Sequence, residues 1–272
     1  MLRWSNALKY VIRYKLILLM MDFVDSQGNY HKGEDAVFPI LTKDIHGSFL
    51  FLGTGFFISD QGDFTTAKHV LLNDKNSNKP HFPLYIVQSK KDKHYLRYVQ
   101  YIVPHPTADI IYGKLHSIIL HQGKNIPFNN REVPFRLSNI PVRIGETLKT
   151  FAFPNSKIEI IENKEIGLFM GEWFQGDVVE YLPDGRDRVL LPDACYQTSI
   201  NILGGSSGGP VINSKTEVIG VNSTGYENIS DGLGSISYIT PINKIFEIKI
   251  NINEKDATIK DHVENGNLNI LI

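Results

Sequence analysis

With 272 residues, 42% of them apolar, the chain is long enough to bury one large core or two smaller ones. Its 28 basic and 29 acidic residues leave a formal net charge of -1, which removes the positive excess on which nucleic-acid binding leans. The one cysteine, Cys195, excludes an intrachain disulfide, so the fold stands on packing. Cysteine poverty fits cytoplasm or periplasm, with the cytoplasm preferred.

In chain order, residues 1–23 come first. Arg3, Lys9, Arg13 and Lys15 precede a short apolar run over 16–21, and Asp22, Phe23 and Asp25 follow it. The run is shorter than the roughly 20 residues of a membrane helix. It also lacks the small residues of a signal cleavage site. The segment reads as an amphipathic or loosely ordered extension, or as sequence upstream of a start at Met20 or Met21. A signal or membrane-associated segment is the alternative.

From residue 36 onward, short runs rich in Val, Ile, Phe, Tyr and Thr alternate with Gly, Asp, Asn and Pro, the pattern of strands and turns. Strands are expected at 36–42, 47–59, 63–66, 84–87, 96–103, 110–114, 148–153, 157–162, 167–174, 187–191, 194–198, 210–212, 218–223 and 235–239. Pro183-Asp184-Gly185-Arg186 makes a hairpin turn between two of them. The polar runs at 73–79 and 88–94 read as solvated loops. A boundary falls at 125–144, which holds Pro127, Pro134 and Pro141 and separates two β-rich halves. Near the end, Thr240-Pro241 opens a helix over 242–248 with Ile242, Ile245 and Phe246 on one face. A second short helix is expected over 258–264, ending at Gly266, and a last strand over 268–272. So many short strands point to a β-sandwich or β-barrel architecture. Two barrels joined at 125–144 would form a cleft where they meet.

Three segments carry chemistry. Gly204-Gly205-Ser206-Ser207-Gly208-Gly209-Pro210 sets four glycines around a serine. Glycine is entropically costly, so such density needs a use. A tightly folded backbone could aim the Gly205 and Ser207 amides at an oxygen that turns negative when Ser207 attacks a carbonyl. The second segment, Thr65-Thr66-Ala67-Lys68-His69-Val70, ends a strand in a histidine, and imidazole is the natural base for a hydroxyl nucleophile near neutral pH. The third, Ala108-Asp109-Ile110-Ile111, sets a carboxylate against apolar neighbours, which is costly unless it is paired. Alone, each has an ordinary reading: a glycine-rich surface turn, a satisfied histidine among nine, a turn aspartate before a strand.

Together they resemble the trypsin-like (chymotrypsin-fold) serine peptidases, particularly bacterial members without disulfides such as the Htr-type proteases. T-T-A-K-H-V is similar to the family's T-A-x-H segment, A-D-I-I to its aspartate-bearing strand, and G-S-S-G-G-P to its G-x-S-G-G-P. The resemblance covers about residues 36–250, including 145–154 and 218–225. It implies an all-β fold of two six-stranded antiparallel barrels with short C-terminal helices. The implied divisions are 1–35 as extension, 36–130 and 131–250 as the barrels, and 251–272 as tail. It implies serine endopeptidase activity with Ser207 as nucleophile, His69 as base, Asp109 as orienting acid, and Gly205 and Ser207 as oxyanion donors. Asn201, Ser223, Thr224 and Gly225 fall where the family contacts substrate. The implied partner is a protein or peptide substrate, with no metal, cofactor or nucleic acid and no clear membrane span.

Two departures narrow this reading. Ser206 stands where trypsin has the aspartate that pairs with a freed N-terminus, so activation of that kind is not expected. No peptide-recognition domain follows the barrels, so a full Htr-type chaperone-protease is not expected either. Asn201 is uncharged, which gives no support to a Lys or Arg preference. Two rivals stand beside the peptidase. Gly205-x-Ser207-x-Gly209 also fits the serine elbow of α/β-hydrolases, but strand residues follow it and only His262 lies downstream. A catalytically silent two-barrel module that holds a peptide is the second.

Overall fold

A strand that packs on one face buries every second side chain, and the apolar alternation of this chain is satisfied by closing two sheets on themselves. The computed structural model describes residues 9–12, 23–25, 29–72, 80–90, 93–121, 124–128, 130–162, 164–189, 191–228 and 234–272. Short elements come first: β1 (Lys9–Ile12), β2 (Phe23–Val24), β3 (Tyr30–His31) and the single turn α1 (Gly33–Ala36). The first barrel follows with β4 (Val37–Lys43), β5 (Phe49–Phe57), β6 (Asp63–Thr66), the turn α2 (Lys68–Leu71), β7 (Leu84–Lys90), β8 (Lys93–Pro104) and β9 (Ile111–His121). Its ring runs β9-β6-β5-β4-β7-β8 and closes where β8 pairs with β9, while β10 (Lys124–Pro127) adds to the outer edge of β9.

The second barrel uses β11 (Thr147–Ala152), a projecting hairpin of β12 (Lys157–Ile161) and β13 (Lys164–Phe169), then β14 (Glu172–Leu182), β15 (Cys195–Thr198), β16 (Pro210–Ile212), β17 (Val218–Asn228) and β18 (Gly234–Pro241). The ring β11-β14-β15-β18-β17-β16 closes through β11 and β16. All pairings in both barrels are antiparallel, so the fold class expected from the sequence is the one found. Leu148, Val178, Ile200, Val211, Ile219 and Ile239 fill the second barrel. After it come the 3₁₀ turn Ile242–Glu247, the hairpin β19 (Lys249–Ile252) and β20 (Lys255–Thr258), and α2's larger counterpart α3 (Ile259–Glu264).

Several expectations need correction. The expected strand over 167–174 is two strands, because at Met170 the amide leaves the ladder for Ser156 Oγ (3.2 Å). The expected strand over 187–191 is irregular among its described residues: Asp187 accepts from Val189 N and Arg186 Nε, side-chain bonds that compete with a ladder. The turn at 183–186 forms, with Gly185 at φ +77°, but the strand it feeds is β15. The loop expected over 88–94 is mostly the β7–β8 hairpin, and Gln88 is buried. The tail at 268–272 forms no ladder, although Leu268 and Ile270 are buried and Leu137 N donates to Leu271 O (2.8 Å). Lys124–Pro127 and the β19–β20 hairpin were not expected as strands. The helix over 242–248 is 3₁₀ with Pro241 as its cap, one residue later than expected, and its buried face is Ile242, Ile245 and Phe246. Helix α3 is as expected, with the Thr258 side chain accepting from Asp261 N and Gly266 at φ +70° beyond it.

The loop expected at 73–79 lies outside the described residues, as does most of 1–23. Where described, that extension is ordered against the body. β1 runs parallel to β13, with Lys9 opposite Ile166, and Phe23 is buried against Phe135 (ring centroids 4.3 Å). Among the described residues no helix is long and apolar enough to cross a membrane.

The connector between the barrels is irregular, as its prolines suggest, but it is anchored. Glu132 on it and Arg97 on β8 form an ion pair with side chains 2% and 3% exposed, and Gln88 bonds to both. A buried charge is tolerable only with such partners. Glu132→Ala should therefore destabilise the protein by about 3–5 kcal/mol in urea denaturation, while replacing Arg97, Glu132 and Gln88 together by apolar residues should recover much of that loss. A single-variant loss below about 1 kcal/mol would count against the anchor.

Candidate active site

His69 sits at the junction of β6 and α2. Thr66 Oγ1 donates to Thr54 O (2.6 Å), which ends the strand, and Ala67 turns the chain into the one-turn helix. Asp109 lies on the turn between β8 and β9 and is buried, 6% exposed. One of its oxygens accepts from His69 N (3.0 Å), the other pairs with His69 Nδ1 (2.9 Å). Burial pushes the Asp109 carboxyl up, but the His69 charge, two bonds from His69 and one from the Ser223 hydroxyl together hold it below the ordinary value. Asp109 is thus a buried carboxylate that stays ionised. Ser223 Oγ also lies 2.7 Å from Thr240 Oγ1. With Thr240 as donor in that pair, the Ser223 proton is left for Asp109.

Ser207 lies on the loop between β15 and β16. Gly205 and Gly208 hold φ of +93° and +87°, the left-handed region open to glycine. A methyl on Gly205 would meet Phe153 O at 2.7 Å, and one on Gly208 would overlap Thr54 O and Thr66 Oγ1. The loop is tied within itself by Ser206 N to Leu203 O (3.0 Å) and Gly209 N to Ser206 O (3.1 Å). The first barrel holds it too: Thr54 N donates to Ser207 O (2.9 Å) and Thr54 Oγ1 to Gly205 O (2.8 Å). Among the described residues, the amides of Gly205 and Ser207 donate to no protein acceptor. The Ser207 hydroxyl donates to Ser223 O (3.2 Å).

A groove of about 440 Å³ runs between the barrels. His69, Asp109, Ser207, Ser223, Thr224 and Gly225 all line it, so six residues named from the sequence converge from four separate parts of the chain. Asn201 does not. It is exposed, because Ile200 and Ile202 on either side turn into the second-barrel core and alternation sends Asn201 outward. Ile202 lines the groove instead, with Leu203, Val189, Leu191 and Pro192, which gives it a largely apolar wall.

Three features escaped the sequence reading. Ser223 was named for substrate contact, and its hydroxyl also supports Asp109. Thr54 sits inside the conspicuous Gly53-Thr54-Gly55, which was the signal available for it. Lys68 adjoins His69, and its Nζ is half-buried against the carbonyls of His105 (3.1 Å), Pro106 and Thr107 (both 3.5 Å). Burial lowers the Lys68 pKa, opposed by the nearby Asp109 and Asp193 charges. Cys195 is buried with its thiol pushed up to about 11, which leaves it unreactive.

Comparison with known proteins agrees with this geometry. The chain is 25% identical over 220 residues to proteins named "Probable periplasmic serine endoprotease DegP-like" from Pseudomonas putida strains GB-1 and F1. The match takes in 76% of this chain but only 36% of those relatives, so the chain spans about a third of their length. Their periplasmic naming gives no support to the cytoplasmic preference drawn from cysteine content. Among solved structures, the active form of the Rv3671c protease from M. tuberculosis matches with a TM-score of 0.53 at 17% identity, over 78% of each chain. Deg5 matches with a TM-score of 0.53 at 17% identity, over 78% of this chain and 86% of that one. At such identity these two speak for the fold alone. Residues 53–221, more than half of the sequence and the stretch that holds His69, Asp109 and Ser207, match the model of the trypsin-like peptidase domain, and the chain belongs to that family.

Proposed function

We propose that the protein is a serine endopeptidase that cleaves peptide bonds through Ser207, His69 and Asp109. The observation that carries this reading is the pair of hydrogen bonds from His69 to Asp109, one from the backbone amide and one from the ring Nδ1, in a groove that Ser207 also lines. With Nδ1–H given to Asp109, the neutral imidazole keeps its lone pair on Nε2. That atom takes the Ser207 proton as Oγ attacks the substrate carbonyl. The Gly205 and Ser207 amides receive the oxygen as it becomes negative. His69 then protonates the leaving amine, and water releases the acyl group by the same steps in reverse order.

The Ser207 hydroxyl must first leave Ser223 O, a rotation between staggered wells. A substrate backbone amide that takes the Ser223 carbonyl would release it toward His69. The same bond is the observation that favours the second reading, a latent or silent module that holds peptide without turnover. A serine-reactive fluorophosphonate separates the two: labelling that needs both Ser207 and His69 supports the enzyme, and no labelling with or without bound peptide supports the module.

Turnover itself gives sharper checks. Ser207→Ala should lower kcat on the order of 10⁶-fold. Asp109→Asn should lower it about 10⁴-fold by leaving His69 in the wrong tautomer. Wild-type turnover surviving in either variant would rule out these assignments. The held-down Asp109 carboxyl sets the pH behaviour. On acidification kcat/KM should fall while Asp109 is still ionised, because that carboxyl is held below its ordinary value. Asp109's own contribution to stability is present above the ordinary Asp value of about 3.9 and is lost only as pH falls through its lower folded value. An acid limb near pH 4 would place the essential base elsewhere. Finally, the apolar wall of Val189, Leu191, Pro192 and Ile202 should favour apolar residues over Lys or Arg on the acyl side of the cleaved bond. A peptide-library cleavage profile dominated by Lys or Arg would contradict that.

A further inference from the structure

The turn that presents Asp109 is built around a second histidine, His105, which is 4% exposed. Every polar atom of this residue is engaged. Its amide donates to Ile110 O (3.0 Å), closing the turn across Asp109. Its carbonyl accepts from Lys68 Nζ (3.1 Å), the side chain next to His69. Its ring Nδ1 accepts from two backbone amides, Thr107 N (3.2 Å) and Ala108 N (2.8 Å). An imidazole nitrogen that accepts carries no proton, so the ring proton of the neutral form sits on Nε2. There it faces Glu247 Oε2 at 3.2 Å.

Glu247 belongs to the 3₁₀ turn that follows the second barrel, so this bond crosses between the halves of the molecule. A second crossing lies beside it. Thr107 Oγ1 donates to Asp193 Oδ2 (2.7 Å), and Lys244 bridges Asp193 (3.0 Å) and Glu247 (3.2 Å). Asp193 directly follows Pro192 in the apolar groove wall. The turn bearing the acid is therefore shaped from inside by one imidazole and pinned from outside to the wall of the substrate groove.

We propose that His105 is a positioning residue of the triad: its unprotonated Nδ1 gathers the Thr107 and Ala108 amides and thereby sets where the Asp109 carboxylate meets His69. This rests on the triad reading above. A displacement of a catalytic group by about 1 Å costs on the order of 10²-fold in rate, so the shape of a five-residue turn is enough to matter.

Two polar replacements separate position from mere packing. The Asn side-chain oxygen is as many bonds from Cβ as His Nδ1, and it accepts backbone amides in turns. The Gln terminus has the reach of Nε2 instead and cannot take the Nδ1 place. His105→Asn should keep kcat within several-fold, whereas His105→Gln should lower kcat on the order of 10²-fold with KM little changed. The low-field proton resonance of the His69–Asp109 bond, read by NMR without any turnover, should persist in His105→Asn and be lost or shifted in His105→Gln. Equal kcat and an unchanged resonance in both variants would overturn the proposal, as would equal losses in both with the resonance intact. A wild type that neither turns over substrate nor labels with fluorophosphonate would strike the triad reading instead, while the resonance still decides what His105 does.

Discussion

Thr54 fixes the distance between the two halves of the site. The residues of the proposed triad are divided, with His69 and Asp109 on the first barrel and Ser207 on the second, so they meet only if the barrels hold one register. Thr54 is wholly buried and meets the second barrel at three points: its amide reaches Ser207 O, its hydroxyl reaches Gly205 O, and that same oxygen accepts from Phe153 N (3.2 Å). These contacts hold the carbonyls of Gly205 and Ser207, the two residues whose own amides donate to no protein acceptor among the described residues. Gly53 and Gly55 flank it on β5, and Thr54 O also accepts from Thr66 on the strand that leads to His69. One residue thus links the backbone of Ser207 to the strand that leads to His69.

The second constraint is electrostatic. Two aspartates of the first barrel are buried, and they are partnered in different ways. Asp63 is wholly enclosed by Tyr112, Lys114 and Ser59, and its charge helps push the Tyr112 phenol up, behind the dominant effect of burial. That network faces inward and braces β6 against β9. Asp109 is paired with an imidazole whose side chain is 35% exposed. Both obey the rule that a buried carboxylate needs partners. Only the second has a partner able to exchange a proton with something in the groove.

How much of this was legible in the sequence follows from where each feature gets its determinants. The three segments that meet at the groove stood out because each has unusual local demands: glycines at positive φ around Ser207, a small residue before His69, an apolar strand after Asp109. The barrels could be read from period-two alternation. Alternation also misled where side chains overrode it. Residues 187–191 look like a strand, but Asp187 gives its carboxylate to local donors and the chain goes to wall the groove. Gln88 looks solvated, yet it is buried because an arginine and a glutamate 9 and 44 residues away need it. Asn201 was placed by the family resemblance, which finds the segment but not the face. The burial of Ile200 and Ile202 decides the face, and that belongs to the second-barrel core. Ser223, His105 and Glu247 are ordinary letters in the sequence, and only the meeting of distant turns gives them partners.

The bond from Ser207 to Ser223 O ties these levels together. Ser223 serves Asp109 through its hydroxyl and holds Ser207 through its carbonyl, so one residue of β17 touches two members of the proposed triad. In this conformation the Ser207 hydroxyl donates to that carbonyl. An extended peptide laid along Ser223–Gly225 brings its own amide to the same carbonyl, because strand pairing supplies donors at that spacing. Under the proposed mechanism, a substrate strand that takes this carbonyl would free the Ser207 hydroxyl to turn toward His69.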